Sequence, residues 1–298
     1  MPALSYACVH RISSYVGPLV LCLALPVEAT AENGAVGRIF RHVKLRPRHA
    51  HFRGRRWEVH DFDSLARAIA DLALGQCAHV EKLLRSSNAW QPAGAAYAID
   101  AAIKSLTVPP GSKPWHRDGW VFQLISWIAA IEESDGLTRV PQMDQASKGF
   151  DGLQLEVNPS TNGAERAVIF EDKATESPRA TVRDKVWPEF ADIDAGNRHP
   201  ALAAEIGALL RGRDEAEITS SIDQILRDPA GLAYRASITA GKHHARAAGF
   251  NGLFDGFKTS VRGRRRRRRG NVFEVDDLRG WMDSLCSRAI ELLEADRV

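Results

Sequence analysis

Apolar residues recur every three to four positions over several long stretches of the chain, the spacing of one helix face. Leu65, Ile69 and Leu72 follow this spacing after Asp63 or Ser64, either of which would cap a helix. The segment over 118–134 is apolar on nearly all sides, so we expect it to lie in the core. The same spacing predicts further helices over 93–106, 180–193, 200–212, 215–229 and 278–295.

Alternating apolar and polar residues predict short strands between these helices. The segments GFDGLQLEV (149–157) and RAVIF (166–170) alternate in this way, and NPSTNGAE between them has the residues of a turn. They predict a β-hairpin, and further strands are predicted around Trp57, from Ala233 to Thr239 and over 270–277. Because strands and helices mix without a steady period, we expect an α/β fold with a mixed central sheet flanked by helices.

Positive charge is concentrated in two segments, although the net charge of the 298 residues is only +3. Residues 37–57 contain eight Lys or Arg and no acid, and seven of the eight residues over 262–269 are Arg. Such segments suit phosphate-rich partners, and the alternative is a solvated loop or a disordered arm.

The four cysteines form no CxxC pair, which argues against a thiolate zinc site and fits a reducing cytoplasm. The segment YVGPLVLCLALPVEATA (15–31) is typical of a signal-peptide core, so export stays an alternative. The segment is too short, and too interrupted by proline, to span a membrane. A buried apolar segment and an extension upstream of the true start are two further interpretations. Nucleotide-binding, zincin and hydrolase motifs (GxGxxG after a strand, GxxxxGK[ST], HExxH, GxSxG) are absent from the sequence.

The second strand of the hairpin runs into three charged residues, which raises the question of a site. On an extended chain Glu171 and Lys173 point to one face and Asp172 points to the other. The hairpin brings Asp151, at the start of its first strand, close to Glu171. Two carboxylates at one sheet edge suit Mg²⁺, and an adjacent lysine can orient water or stabilise phosphate charge.

An Asp, a hairpin and then Glu-x-Lys resembles the PD-(D/E)xK nuclease superfamily, which has the restriction-endonuclease-like fold. The resemblance covers about a quarter of the chain, and Phe150 stands where the family often has proline. It implies that Asp151, Glu171 and Lys173 are catalytic. Asp151, Glu171 and the backbone carbonyl of Asp172 would bind Mg²⁺ or Mn²⁺.

Family members often add an acid or a glutamine near this site. Gln123 and Glu132 on the preceding helix are candidates, with Gln154 and Glu176 as further ones. Arginines near the motif and in the basic run are candidates for contacts to the nucleic-acid backbone. These are Arg179, Arg183, Arg235, Arg264, Arg265 and Arg266.

The resemblance predicts a metal-dependent endonuclease that acts on DNA in a bacterial anti-phage defence or restriction context, as a homodimer or with a defence-system partner protein. The scattered cysteines favour a cytoplasmic location, and we expect no membrane partner. We divide the chain into an apolar leader (1–36), a basic and helical region (37–110) and a nuclease-like domain with helical and strand additions (111–298). One alternative is a non-catalytic nucleic-acid-binding or complex-forming protein on the same fold. Another is an exported protein whose hairpin acids are structural.

Overall fold

The structure is a computed structural model. It describes residues 38–45, 51–86, 90, 96–143, 145, 149–158, 160–161 and 163–297. The leader predicted over 1–36 lies outside the described residues, as do residues 37 and 46–50 of the first basic segment.

The described residues form one seven-stranded mixed sheet, with the strand order β1-β2-β7-β6-β5-β4-β3. Four neighbouring strands, β2, β7, β6 and β5, run parallel, and β1, β4 and β3 complete the sheet through antiparallel pairs. The strands are β1 (Phe40–Leu45), β2 (Arg53–Val59), β3 (Leu137–Thr138), β4 (Gly152–Val157), β5 (Ala164–Lys173), β6 (Leu232–Ala240) and β7 (Arg268–Glu274).

Twelve α-helices accompany the sheet in the part of the chain that the structure describes. They are α1 (Phe62–Ala73), α2 (Cys77–Arg85), α3 (Ile99–Leu106), α4 (Trp115–Glu133), α5 (Pro178–Thr181), α6 (Trp187–Asp194), α7 (His199–Leu209), α8 (Glu215–Arg227), α9 (Lys242–Ala245), α10 (Ala247–Leu253), α11 (Phe257–Ser260) and α12 (Leu278–Ala295). A π-helical segment, Val182–Val186, joins α5 to α6, so the predicted helix over 180–193 is continuous but irregular.

Alternation along the strands divides the core between the two faces of the sheet. On one face, which we call the α4 face, Val168 and Phe170 pack against Ala130 of α4. On the opposite face, Ile169 and Tyr234 pack with residues of α6, α7, α8, α10 and α11. The helix α4 is buried on nearly every side, as its uniformly apolar sequence predicts.

The predicted fold class is confirmed: a mixed sheet is flanked by helices. Two details differ from the predictions. The cap of α1 is Asp61, not Asp63 or Ser64, because the Asp61 side chain accepts a hydrogen bond from the Ser64 N–H. The boundary drawn at residue 110 separates no domains, because β2 pairs with β7 and α1 packs against α12.

Among the described residues, no helix has both the length and the apolar character needed to cross a membrane.

Candidate metal centre

The Glu-x-Lys motif lies at the edge of the sheet where the four parallel strands end. The strand β5 is longer than predicted and includes all three charged residues, ending at Lys173. Gly152 of β4 is paired with Phe170, which places Asp151 next to Glu171 across the hairpin. The carboxyl edge of parallel strands is the usual place for a ligand site in α/β proteins.

A glycine follows Asp151 for a steric reason. A Cβ atom at position 152 would overlap the ring of Phe170, the residue directly opposite on β5. The missing side chain lets Phe170 cover the start of β4 on the α4 face. In the Asp-Gly pair of the motif, Asp151 therefore provides the polar group at the edge of the sheet, and Gly152 lets β4 pack closely against β5.

Asp151 is held by three donors from two elements. Its Oδ1 accepts a hydrogen bond from Gln123 Nε2 of α4 at 2.8 Å. Its Oδ2 accepts one from the Asp172 backbone N–H at 2.9 Å and one from Lys173 Nζ at 2.7 Å. These bonds fix the carboxylate in one orientation at the edge of the sheet.

Lys173 joins the two carboxylates into what we call the carboxylate cluster (Asp151, Glu171 and Lys173). Its Nζ lies 2.7 Å from Asp151 Oδ2 and 2.6 Å from Glu171 Oε1. These two oxygens are therefore no farther apart than the sum of the two distances, about 5.3 Å. The three side chains are between 12% and 26% exposed, so the cluster is largely shielded from water yet still reachable.

Burial and like charge give Glu171 an unusual protonation equilibrium. Its burial and the neighbouring Asp151 carboxylate raise the pKa of Glu171 to about 8, although Lys173 opposes this. Burial alone would lower the pKa of Lys173, but the two carboxylates raise it above the ordinary lysine value. The lysine therefore stays charged. Its single positive charge does not suffice for two carboxylates, so Glu171 keeps its proton at neutral pH.

Asp172 points to the α4 face, as the alternation predicts. Its side chain is 3% exposed, and its burial raises the pKa to about 6, with Arg235 opposing the increase. Its Oδ1 is buried without a hydrogen-bond partner among the described residues. Only the backbone of Asp172 thus belongs to the carboxylate cluster.

Arg235 lies inside the protein, although the sequence suggests a phosphate contact. It is 2% exposed, with its guanidinium 3.3 Å from the centre of the Phe170 ring. It donates a hydrogen bond to the Ser126 carbonyl of α4 at 3.1 Å and another to the Ser126 hydroxyl. This arginine stabilises the packing of α4 on the sheet and has no surface for a phosphate.

The other auxiliary candidates lie apart from the cluster. Gln154 is buried and donates to Thr138 Oγ1 at 2.9 Å, which braces β4 against its neighbour β3. Glu132 accepts hydrogen bonds from the backbone N–H groups of Ile39 and Phe40. Glu176 pairs with Arg279 at 3.3 Å. Of these candidates, Gln123 alone contacts Asp151.

The two arginines after the motif already have protein partners. Arg179 donates to the backbone carbonyls of Asp255 at 2.7 Å and Leu253 at 3.1 Å. Arg183 is exposed and pairs with Asp184 at 2.6 Å. A phosphate would have to compete with these contacts.

The arginine run lies at the other end of the parallel strands. Lys173 is level with Ile238 of β6 and Val272 of β7, whereas Arg268, four positions earlier, begins β7. At the rise of a strand, this is about 13 Å along the sheet. The run therefore does not line the carboxylate cluster.

Much of the run is structural. Arg265 donates to the Phe52 carbonyl at 2.8 Å, while Arg267 and Arg268 are buried. Arg264 is exposed, and Arg266 is half-buried. The interpretation as a disordered arm is wrong, because these residues form a 3₁₀ turn and the start of β7.

A cavity of about 410 Å³ lies at the same edge of the sheet as the carboxylate cluster, and the sequence did not predict it. Lys242, Phe273 and Trp281 are among its lining residues. It forms where β2 and β7 end side by side, and these strands are more than 200 residues apart in the chain. Recognising it needs the strand order, which local patterns do not contain.

The cluster fits a hard divalent cation in part. No group of three or more His, Cys, Asp or Glu side chains that could hold a metal ion occurs among the described residues. Mg²⁺, however, is commonly held by one or two carboxylates, with water and substrate phosphate as its other ligands. Asp151 and Glu171 provide two carboxylates within about 5.3 Å, and the high pKa of Glu171 indicates a shortage of positive charge that such an ion would relieve.

Comparison of the chain with protein-family models, curated proteins and solved structures found no match.

Proposed function

We propose that this protein is a divalent-metal-dependent nuclease of the PD-(D/E)xK type that hydrolyses phosphodiester bonds in DNA. The observation that carries the proposal is the contact of Lys173 Nζ with both Asp151 and Glu171, at 2.7 and 2.6 Å. Glu171 and Lys173 come from β5 and Asp151 directly precedes β4, and these three are the residues that the motif selects. They converge at the carboxyl edge of the sheet, where a substrate can reach them.

The chemistry of the cluster suits a metal better than a proton. In the absence of a metal ion, Glu171 keeps its proton to about pH 8. A divalent ion would replace this proton and hold both carboxylates ionised. Such an ion would polarise the scissile phosphate and lower the pKa of an attacking water.

The protein's own residues have distinct tasks in this scheme. Asp151 and Glu171 bind the ion, and Gln123 orients Asp151 through its 2.8 Å hydrogen bond. The ammonium of Lys173 moves from the carboxylates toward the substrate, where it positions water or offsets developing negative charge. The Asp172 N–H holds Asp151 in place while the lysine moves.

DNA as the substrate, a cytoplasmic location and a defence or restriction context belong to the same proposal. The exposed side chains of Arg183 and Arg264 are the candidates from the sequence that can still meet a phosphate backbone. A phosphate would have to displace Asp184 from Arg183, which already binds this carboxylate in two-point contact.

The proposal is tested by Mg²⁺- or Mn²⁺-dependent cleavage of DNA by the full chain. Asp151→Ala and Lys173→Ala should each abolish cleavage, and circular dichroism should show that both variants are folded. Asp135→Ala removes a fully exposed aspartate and is the matched control. Cleavage by the Asp151 and Lys173 variants at the parent rate would overturn the site assignment.

A second candidate is a non-catalytic nucleic-acid-binding protein on the same fold. The observation in its favour is that Lys173 already pairs with both carboxyl groups, as in a structural ion-pair network. It predicts DNA binding without cleavage in any divalent metal. Lys173→Ala would then lower stability, because two partly buried carboxylates would lose their cation.

A further inference from the structure

A second polar cavity lies on the α4 face, between the sheet and the end of α4. It has a volume of about 170 Å³, and we call it the α4 cavity. Its lining includes Arg53 and Arg55 of β2, Arg269 and Asn271 of β7, and Glu133 at the end of α4. Charged and amide groups thus converge from strands and from a helix.

The α4 cavity is separate from the carboxylate cluster. Asn271 is in register with Ser237, and Ser237 with Asp172, so these three residues lie in one row on the α4 face. Glu171 and Lys173 alternate with Asp172 and point to the opposite face. A ligand in the α4 cavity, which extends from β2 and β7 across to Gln154 and Glu156 of β4, would therefore lie on the other side of the sheet from the acid–lysine pair.

Positive charge exceeds negative charge around the α4 cavity. Two carboxylates, Glu133 and Glu156, each pair with guanidinium groups: Glu133 with Arg55 at 3.1 Å, and Glu156 with both Arg166 and Arg269. Arg53 adds a further cation, so three guanidinium groups (Arg53, Arg55 and Arg269) and two carboxylates line the cavity. Partial desolvation, and then repulsion by Arg269, lower the pKa of Arg53, whereas Glu156 opposes the decrease.

Hydrogen-bond donors at the α4 cavity are unused within the part of the chain that the structure describes. The Asn271 side chain is 2% exposed and makes no hydrogen bond to a described residue. Arg269 Nε is buried without a partner there. Arg53 makes no ion pair with a described acid. Buried guanidinium groups normally have hydrogen-bond partners, so the buried Nε of Arg269 indicates a missing acceptor.

We propose that the α4 cavity binds a phosphate-sized oxyanion through Arg53, Arg269 and Asn271. The cavity is smaller than the roughly 300–1,000 Å³ typical of sites for drug-sized ligands. It has room for several water molecules, each about 30 Å³, and thus for one tetrahedral oxyanion. Guanidinium groups match the oxygens of such an ion in two-point contacts.

Inorganic phosphate is the probe for a calorimetric titration of the full chain, in EDTA, with ionic strength held constant by chloride. Phosphate should bind, and Arg53→Gln should weaken its affinity at least about tenfold, the loss expected for a charged hydrogen bond. Arg53 is exposed at the start of β2, so its replacement should leave folding intact. Arg211→Gln removes an exposed arginine next to α7 and should leave phosphate affinity unchanged.

Competition by a short DNA strand identifies the source of the phosphate. Displacement of inorganic phosphate by a 5′-phosphorylated strand, but not by an unphosphorylated one, assigns the α4 cavity to a strand end. Displacement by both assigns it to backbone phosphates, and displacement by neither assigns it to a free ion. The proposal is overturned if phosphate gives no binding heat, or if Arg53→Gln binds it as tightly as the parent does. The outcome does not depend on whether the carboxylate cluster cleaves DNA.

Discussion

Binding of a divalent ion at the carboxylate cluster should release a proton. Burial and Asp151 raise the pKa of Glu171 to about 8, so at pH 7 about nine-tenths of the molecules carry a proton on this carboxyl. A metal ligand must be deprotonated, and one bound ion therefore releases about 0.9 proton at pH 7 and about 0.1 at pH 9. Lys173 adds nothing to this release, because its raised pKa keeps it charged throughout this pH range.

Isothermal titration calorimetry with Mg²⁺ or Mn²⁺ measures this release directly. The observed enthalpy, plotted against the ionisation enthalpy of several buffers, has a slope equal to the number of protons exchanged. In Glu171→Gln the slope should fall to near zero, because an amide has no proton to release. Glu176→Gln replaces an exposed glutamate after the same strand and should keep the parent slope. A zero slope in the parent at pH 7, or an unchanged slope in Glu171→Gln, would refute the reasoning.

Three further predictions concern stability, each measured by urea unfolding. The folded protein binds the Glu171 proton more tightly than the unfolded chain does. The contribution of this proton to the free energy of unfolding is therefore full below pH 4.5 and is lost as pH rises through about 8. This loss is at most about 5 kcal/mol, and it should be absent in Glu171→Gln. Burial would raise the pKa of Glu133, but His42 and Arg55 outweigh this effect and lower the pKa to about 2. The ionised carboxylate therefore stabilises the fold by about 3 kcal/mol, and this stabilisation should be lost as pH falls from 4.5 to 2. It should be absent in Glu133→Gln. Arg235→Ala should cost about 3–5 kcal/mol, because it removes the hydrogen bonds to Ser126 and the buried positive charge that favours ionised Asp172; a cost below 1 kcal/mol would contradict this role.

The hairpin and its acids could be predicted because their pattern is local. Strict alternation assigns Glu171 and Lys173 to one face, and a short turn forces Asp151 to lie near them. The structure has this arrangement, with β4 and β5 paired and Asp172 on the α4 face. The burial of α4 could also be predicted, because a helix that is apolar on all sides has no side that favours solvent.

The arginines show where local pattern is not enough. Seven arginines in eight residues suggest a solvated or DNA-binding segment, yet Arg267 donates to the Leu232 carbonyl and Arg268 to the Val261 carbonyl. Leu232 begins β6, 35 residues before Arg267, and Val261 follows α11, so nothing in the run itself shows these acceptors. Arg235 likewise lies beneath Ser126 of α4, more than 100 residues earlier in the chain. Partners contributed by distant segments decide whether a cation is structural or free.

Anomalous diffraction from crystals grown with Mn²⁺ tests the central claim most directly. We predict one ion within about 2.5 Å of a carboxylate oxygen of Asp151 and one of Glu171, with Lys173 Nζ withdrawn from its contacts at 2.7 and 2.6 Å. An anomalous map without a peak at the cluster in saturating Mn²⁺, with Lys173 still bridging both carboxylates, would contradict the account.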